Sequence, residues 1–272
     1  MRRRRVGAGY VEWLAEELSE RDRAVVRAVV RVRVLTGQQI ERLLFTNLEQ
    51  PSRSVVRRRV LARLVAQRLL TTLERQIGGT GGGSAGLIFA LDSAGRQLLR
   101  RWDGQRGGGR VRRPWTPSSL FLKHTLAISE VYVRLVEASR AERFTVETFR
   151  TEPASWQADG FGGWLKPDAY VVLATRTAAE ASWLEVDRGT ESIPALRRKL
   201  RAYLDFVVRG QTGPDGVVPR VAITVPDEQR YDAVAACVAQ LGETPAGLFA
   251  VVEYGQAVAH LVGQLLAPDE PS

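Results

Sequence analysis

Residues 119 to 266 alternate between segments of helical period and short apolar runs, in an order that leaves few folds open. "SLFLKHTLAISEVYVRLVEASRAE" predicts an amphipathic helix over about 119–141. Three strand candidates follow: "FTVETFRTE", "DAYVVLAT" and "ASWLEVD". "IPALRRKLRAYLDFVVRG" returns to helical spacing, with Ile193, Leu196, Leu200, Tyr203, Leu204 and Val207 on one stripe. "RVAITV" then reads as a strand, "DEQRYDAVAACVAQLG" as a helix, "GLFAVVEY" as a strand and "GQAVAHLVGQLL" as a last helix. The order αβββαβαβα predicts a mixed sheet with helices packed against it. With 44% hydrophobic residues the chain has ample material for such a core.

The preceding part of the chain differs in charge and in period. Residues 1–115 hold 24 Arg, no Lys and 10 acidic residues, a net +14, whereas the remaining 157 residues carry −5. A basic part joined to an acidic one implies different partners for each. For the basic part the favoured partner is double-stranded DNA, because cationic density at phosphates releases condensed counterions. The plainer alternative is a solvated, highly charged surface.

Within that basic part, "SERDRAVVRAVVRVRVL" (19–35) places Val25, Val26, Val29, Val30 and Val34 at helical spacing, with Ser19 as N-cap and Glu20 and Asp22 in the first turn. "QQIERLLF" reads as a short second helix, and "SRSVVRRRVLARLVAQRLL" as a third. The third has Val56, Val60, Leu61 and Leu64 on one stripe and Arg53, Arg57, Arg58 and Arg63 largely off it. "LLTTLERQI", the glycine-rich "GGTGGGSAG" and "LIFALD" read as a β-hairpin with a long turn. Helix, short helix, basic helix and hairpin resemble a winged helix-turn-helix domain. The resemblance implies a third helix in the major groove, with Arg53, Arg57, Arg58 and Arg63 for phosphates and base edges and Arg75 on the hairpin. A protein-docking role for such a domain stays open. Gly81, Gly83 and Gly86 formally satisfy G-x-G-x-x-G, but strand-like sequence follows where a dinucleotide site needs a helix. The expected division is a basic tail 1–18, a winged-helix domain 19–102, a Gly/Arg/Pro-rich linker 103–118 and a second domain 119–272.

The αβββαβ start of that second domain resembles the PD-(D/E)XK nucleases, a restriction-endonuclease-like α/β fold with an additional strand and helix here. "KPDAYVVL" supplies Asp168 at the start of the second strand, and "WLEVDRGTES" supplies Glu185 in the third, with Asp187 two residues on. The resemblance implies that Asp168 and Glu185 hold a hard cation such as Mg²⁺ through oxygen ligands, and that the metal activates water. The lysine normal at the last position is replaced by Asp187. Asp187 as third ligand or base, Lys199 from the following helix, or Arg188 as charge stabiliser are the substitutes to weigh, and Arg188 stays protonated. Glu130 on the first helix is an accessory acid candidate, on one face with Lys123. Each has a plainer reading: Asp168 in a post-proline turn, Glu185 and Asp187 in solvent beside Arg188 or Arg197, Glu130 on the surface.

The combination of winged helix, "KHTLAISEVYVRL", "KPDAYVVL", "WLEVDRGTES" and "KLRAYLDF" resembles the replication-relaxation family, over about 19–265. That resemblance implies a role in replication initiation, or in relaxation and transfer, of plasmids and mobile elements. Two functions compete. One is a DNA-binding accessory protein whose second domain is a non-catalytic docking or homodimerisation platform for a relaxase or replication protein. The other is a Mg²⁺-dependent endonuclease or nickase using Asp168, Glu185 and Asp187. No run of about 18 apolar residues argues for a membrane span, and the basic start lacks the apolar core of a secretory signal. With Cys237 as single cysteine and only His124 and His260, a disulfide framework or Cys/His zinc cage is not expected, and a cytoplasmic location is.

Overall fold

The computed structural model describes residues 6–73, 86–102, 118–141 and 144–266. The chain is α+β and divides into two units, Met1–Val133 and Arg134–Ser272. In the first unit α1 (Ala8–Glu17) precedes α2 (Glu20–Val32). Ser19 caps α2 reciprocally: its hydroxyl accepts from the Asp22 N–H and the Asp22 carboxylate accepts from the Ser19 N–H. The helix stops at Arg33, whose φ of 72° is left-handed. Val34 therefore does not continue the helical stripe as its spacing predicts. It opens β1 (Val34–Thr36), in which Val34, Leu35 and Thr36 pair with Ala90, Phe89 and Ile88.

Thr36 in turn caps α3 (Gly37–Leu44), reciprocally with Gln39. α4 (Ser52–Ala66) follows, then β2 (Leu70–Leu73) and β3 (Ile88–Leu91), which pair antiparallel from Leu70↔Leu91 to Leu73↔Ile88. The three strands form one sheet in the order β1-β3-β2. The hairpin tip at 74–85, with Gly81 and Gly83, lies outside the described residues. So do residues 103–117 of the expected linker. α5 (Ser93–Trp102) closes against the hairpin, and α6 (Ser119–Ala141) occupies the predicted range. Leu122 of α6 packs with Val34 and Ile88, so the division between units falls inside this helix rather than at the glycine-rich stretch.

The second unit holds a five-stranded sheet in the order β10-β9-β8-β7-β4. Its strands are β4 (Thr145–Thr151), β7 (Ala169–Ala174), β8 (Ala179–Val186), β9 (Arg220–Val225) and β10 (Phe249–Glu253). β4, β7 and β8 run antiparallel in succession, while β9 joins β8, and β10 joins β9, in parallel. Each parallel join needs a crossover, supplied by α7 (Ile193–Val208) and α8 (Glu228–Ala239). One face carries the main core, where Tyr170, Trp183, Val221, Ile223 and Val225 meet Leu196, Leu200 and Leu204 of α7 and Val234 and Cys237 of α8. Val171, Leu184, Val186 and Ala222 alternate to the other face and are buried too. α9 (Ala257–Leu266) lies against β7 through β10. A small hairpin, β5 (Gln157–Ala158) with β6 (Trp164–Leu165), interrupts the β4–β7 connection and has no counterpart among the predicted strands. Among the described residues no helix is long and apolar enough to cross a membrane.

Candidate functional site

Asp168 enters β7 at the end of the sheet where β8 leaves it, since Ala169 pairs with Leu184. Its Oδ2 accepts the Val186 N–H at 2.7 Å, which fixes the carboxylate against the last turn of the ladder. On β8 the side-chain period of two puts Trp183 and Glu185 on one face. Trp183 packs against Tyr203 and Phe206 of α7, with centroids 5.3 and 5.5 Å away, so Glu185 also faces α7. Lys199 and Tyr203 lie one helical turn apart and stack on that facing side. Lys199 Nζ donates to Glu185 Oε2, and the Tyr203 hydroxyl donates to Oε1. Ser192 caps α7 and Pro194 sits in its first turn, which sets where the helix begins and hence the height of Lys199.

The Glu185 side chain is 3% exposed, whereas Lys199 retains 30%. Burial drives the Glu185 carboxyl up to about 8; the Lys199 ammonium opposes this and the Asp168 carboxylate reinforces it. Burial works against a charged Lys199, but the carboxylates of Glu185 and Asp168 outweigh it and hold the ammonium protonated. Lys199 stays charged because its head reaches water, and Glu185, cut off from water, is the partner whose ionisation burial opposes. Burial and then Glu185 push the Tyr203 hydroxyl up, so it remains a donor to the carboxylate.

Asp187, at the position where the nuclease pattern has lysine, is an anchor within the turn. Its Oδ1 accepts the Gly189 N–H at 2.8 Å and its Oδ2 accepts Arg230 Nε at 2.5 Å. Arg230, in the first turn of α8, also donates to the Glu191 carbonyl, so one guanidinium ties both sides of the turn. The expectation of Glu185 and Asp187 in solvent beside Arg188 or Arg197 does not hold. Both acids are buried, Arg188 is exposed, and Arg197 donates to Gln240. Neither Tyr203 nor Arg230 stands out as a partner in the sequence. Tyr203 reads there only as part of the apolar stripe, though its i+4 spacing from Lys199 was a usable signal; Arg230 lies 43 residues from Asp187 and carries none.

Among the described residues no group of three or more His, Cys, Asp or Glu side chains is placed to hold a metal ion. Both Glu185 oxygens accept from Lys199 and Tyr203, and both Asp187 oxygens from Gly189 and Arg230. A divalent cation would have to displace the Lys199 ammonium, so this donor set does not fit the Mg²⁺ site that the resemblance implies. Glu130 is engaged within the first unit, accepting Gln39 Nε2 at 2.9 Å and Arg42 at 2.6 Å.

The α4 arginines separate by environment. Arg58 is exposed, as is its neighbour Arg59, on a face continued by Val55, Ala62 and Ala66. Arg57 does not lie off the apolar stripe as its position predicts; it is 5% exposed and paired with Glu41 of α3 at 2.6 Å. Arg63 grips both carboxylate oxygens of Asp22 at 2.7 and 2.8 Å, while Arg53 donates to the Leu48 carbonyl at 2.7 Å. Arg75 lies outside the described residues.

Fold and site together define a two-unit α+β protein whose second unit holds a buried carboxylate–ammonium cluster at the carboxyl ends of parallel strands, where open sheets of this kind commonly place ligand sites. The replication-relaxation family model matches residues 26–221, spanning α2 to β9 across both units, and the chain belongs to that family. Membership associates it with replication or relaxation of plasmid or mobile-element DNA. No curated protein and no solved structure matches the chain.

Proposed function

We propose that the protein is a DNA-binding accessory factor of plasmid or mobile-element replication or relaxation. Its first unit binds duplex DNA as a winged helix, and its second is a restriction-endonuclease-like platform whose acidic centre is closed by internal ion pairs. The observation that carries the reading is α4, preceded by a short helix and followed by an antiparallel hairpin, with Arg58 and Arg59 on its outward face. Supporting the second half are the sheet order with antiparallel β4–β7–β8 and parallel β8–β9, and the occupation of Glu185 and Asp187 by Lys199, Tyr203 and Arg230. The partner of the second unit is then a relaxase, a replication protein or a second copy of the chain. Charge reversal tests the first half. Arg58→Glu with Arg59→Glu should weaken duplex binding at least tenfold and lower the salt slope by roughly 0.9 for every phosphate no longer neutralised. Unchanged affinity and slope would remove α4 from the interface.

One observation favours a second reading, a nuclease. Lys199 approaches from α7 beside Glu185, with Asp168 close enough to act on both electrostatically. It thereby brings a lysine to the acids although Asp187 holds the usual position. Incubation of supercoiled and linear plasmid with Mg²⁺ or Mn²⁺ separates the readings. Cleavage abolished by both Asp168→Ala and Glu185→Ala would replace the accessory role with catalysis, and intact plasmid over a verified target site would retain it.

A further inference from the structure

The hairpin between β4 and β7 presents an arrangement that neither the acidic centre nor the α4 surface uses. Its register pairs Gln157 with Leu165 and Ala158 with Trp164, which sets Trp156 opposite Lys166. Strand alternation then sends Leu165 inward, where it joins the main core, and turns Trp156, Trp164 and Lys166 together to the outside. Trp156 is 38% exposed, Trp164 58%, and Phe161 at the tip 60%. Rings of this size normally lie inside, and three within nine residues on one small hairpin form an apolar patch that water solvates poorly.

The patch is built rather than loose. Asp159 Oδ1 accepts the N–H groups of Phe161 and Gly163 at 2.8 and 2.9 Å, and a Cβ at Gly163 would collide with that carboxylate. Gly162 takes a φ of +89°, which an L side chain rarely adopts. At the base, the buried Ser155 hydroxyl donates to the Pro167 carbonyl at 2.6 Å. Two of the three rings also have a cation against them. Lys166 Nζ lies 4.7 Å from the Trp156 centroid, and the Arg209 guanidinium 4.5 Å from that of Phe161.

We propose that this hairpin is a stacking platform for single-stranded DNA, with bases on Trp156, Trp164 and Phe161 and phosphates at Lys166 and Arg209. Cations placed among exposed rings select the partner. An apolar protein face would bury two charges without compensation, whereas a nucleic-acid strand supplies a flat apolar surface and an anion at every step. Duplex DNA keeps its base faces inside the helix, so only an unpaired strand can offer them. Diagonal positions on an antiparallel pair, such as Trp156 and Trp164, stand about 7–8 Å apart, a reach that successive splayed bases can match. The choice of a single strand rests on this geometry and is independent of duplex binding by α4; the choice of DNA over RNA rests on the family.

The test is fluorescence anisotropy of a labelled 12-nucleotide oligo(dT) with the full-length protein. Stacking contributes about 5- to 150-fold in affinity per ring. Trp156→Ala with Trp164→Ala should therefore weaken oligo(dT) binding at least about 25-fold while leaving duplex affinity unchanged. Trp164→Phe, which keeps a π-face, should retain most of the affinity. Lys166→Gln should lower the slope of log K against log salt by about 0.7. The Arg58→Glu, Arg59→Glu protein should still lose oligo(dT) affinity on alanine substitution of the rings, which separates this site from the duplex surface. Unchanged oligo(dT) affinity in the double alanine variant would overturn the proposal. Tighter, equally ring-dependent binding of oligo(rU) would also overturn it. So would self-association that the alanines abolish while oligo(dT) affinity stays the same, since the occupant would then be a second copy.

Discussion

Replacing Lys199 with methionine keeps the aliphatic stem and removes the ammonium against Glu185, a side chain 3% exposed with Asp168 close by. Breaking a buried pair by removing one partner costs about 3–5 kcal/mol when the other must stay charged. Here the carboxyl can escape by taking a proton, because burial already lifts it to about 8 with the lysine present, and losing the lysine lifts it further. The sign follows from proton counts. Between the unfolded carboxyl value of 4.5 and the folded value, the native state holds a proton that the unfolded state has released, so stability falls as pH rises. In the variant that fall continues to higher pH than in the wild type. The destabilisation should thus be about 1–2 kcal/mol at pH 6, from a lost hydrogen bond and packing, and about 3–5 kcal/mol at pH 9. At pH 9 this corresponds to a drop of about 10 °C in the midpoint. Urea unfolding at both pH values, followed by the near-ultraviolet signal of buried Trp183, measures it. Adding Glu185→Gln to Lys199→Met removes the buried charge altogether and should recover most of the loss at pH 9. A pH-independent penalty, or a double variant as unstable as the single one at pH 9, would refute the coupled-proton account.

Arg57→Ala should act through stability and not through DNA affinity. It strands Glu41, whose other partners are Gln50 at 2.9 Å and Ser54 at 3.4 Å, and should cost about 2–3 kcal/mol in chemical denaturation of the first unit. A loss of duplex affinity with unchanged stability would contradict this. Ser19→Ala breaks the reciprocal cap of α2 and should cost about 1 kcal/mol; Ser19→Asp, which still caps, should restore it in the same measurement.

Much of the element order was legible because it depends on local periodicity. α6 lies where the spacing of "SLFLKHTLAISEVYVRLVEASRAE" predicts it, β4, β7, α7, β9, α8, β10 and α9 fall within the predicted segments, and β8 begins two residues before its segment "ASWLEVD". Ser19 could be recognised as a cap because the two groups that satisfy each other are three residues apart. Short strands escaped for the complementary reason. β1, β5 and β6 have two or three residues each, too few to show a period, and exist through partners such as Ile88–Ala90 for β1. Val34 carries a helical spacing up to the residue where Arg33 turns left-handed and sheet pairing takes over.

The candidate site divides in the same way. From sequence alone came Asp168 and Glu185 on neighbouring strands, the lysine missing at Asp187, and Lys199 as a cation on the next helix. Which groups touch was a matter of three-dimensional arrangement. Parallel pairing of β8 with β9 and the crossover of α7 bring Lys199 and Tyr203 onto Glu185, and the start of α8 brings Arg230 onto Asp187. Burial then sets the chemistry: a carboxylate that sequence treats as ordinary is held near 8 once water is excluded. Arg57 and Arg58 make the same point on α4, adjacent and identical in type, yet one faces Glu41 inside and the other faces solvent. Residue type and spacing are local properties, and they determine which helices and strands can form. Charge, solvation and proton affinity depend on what the rest of the chain packs around a side chain, and only the tertiary structure decides that.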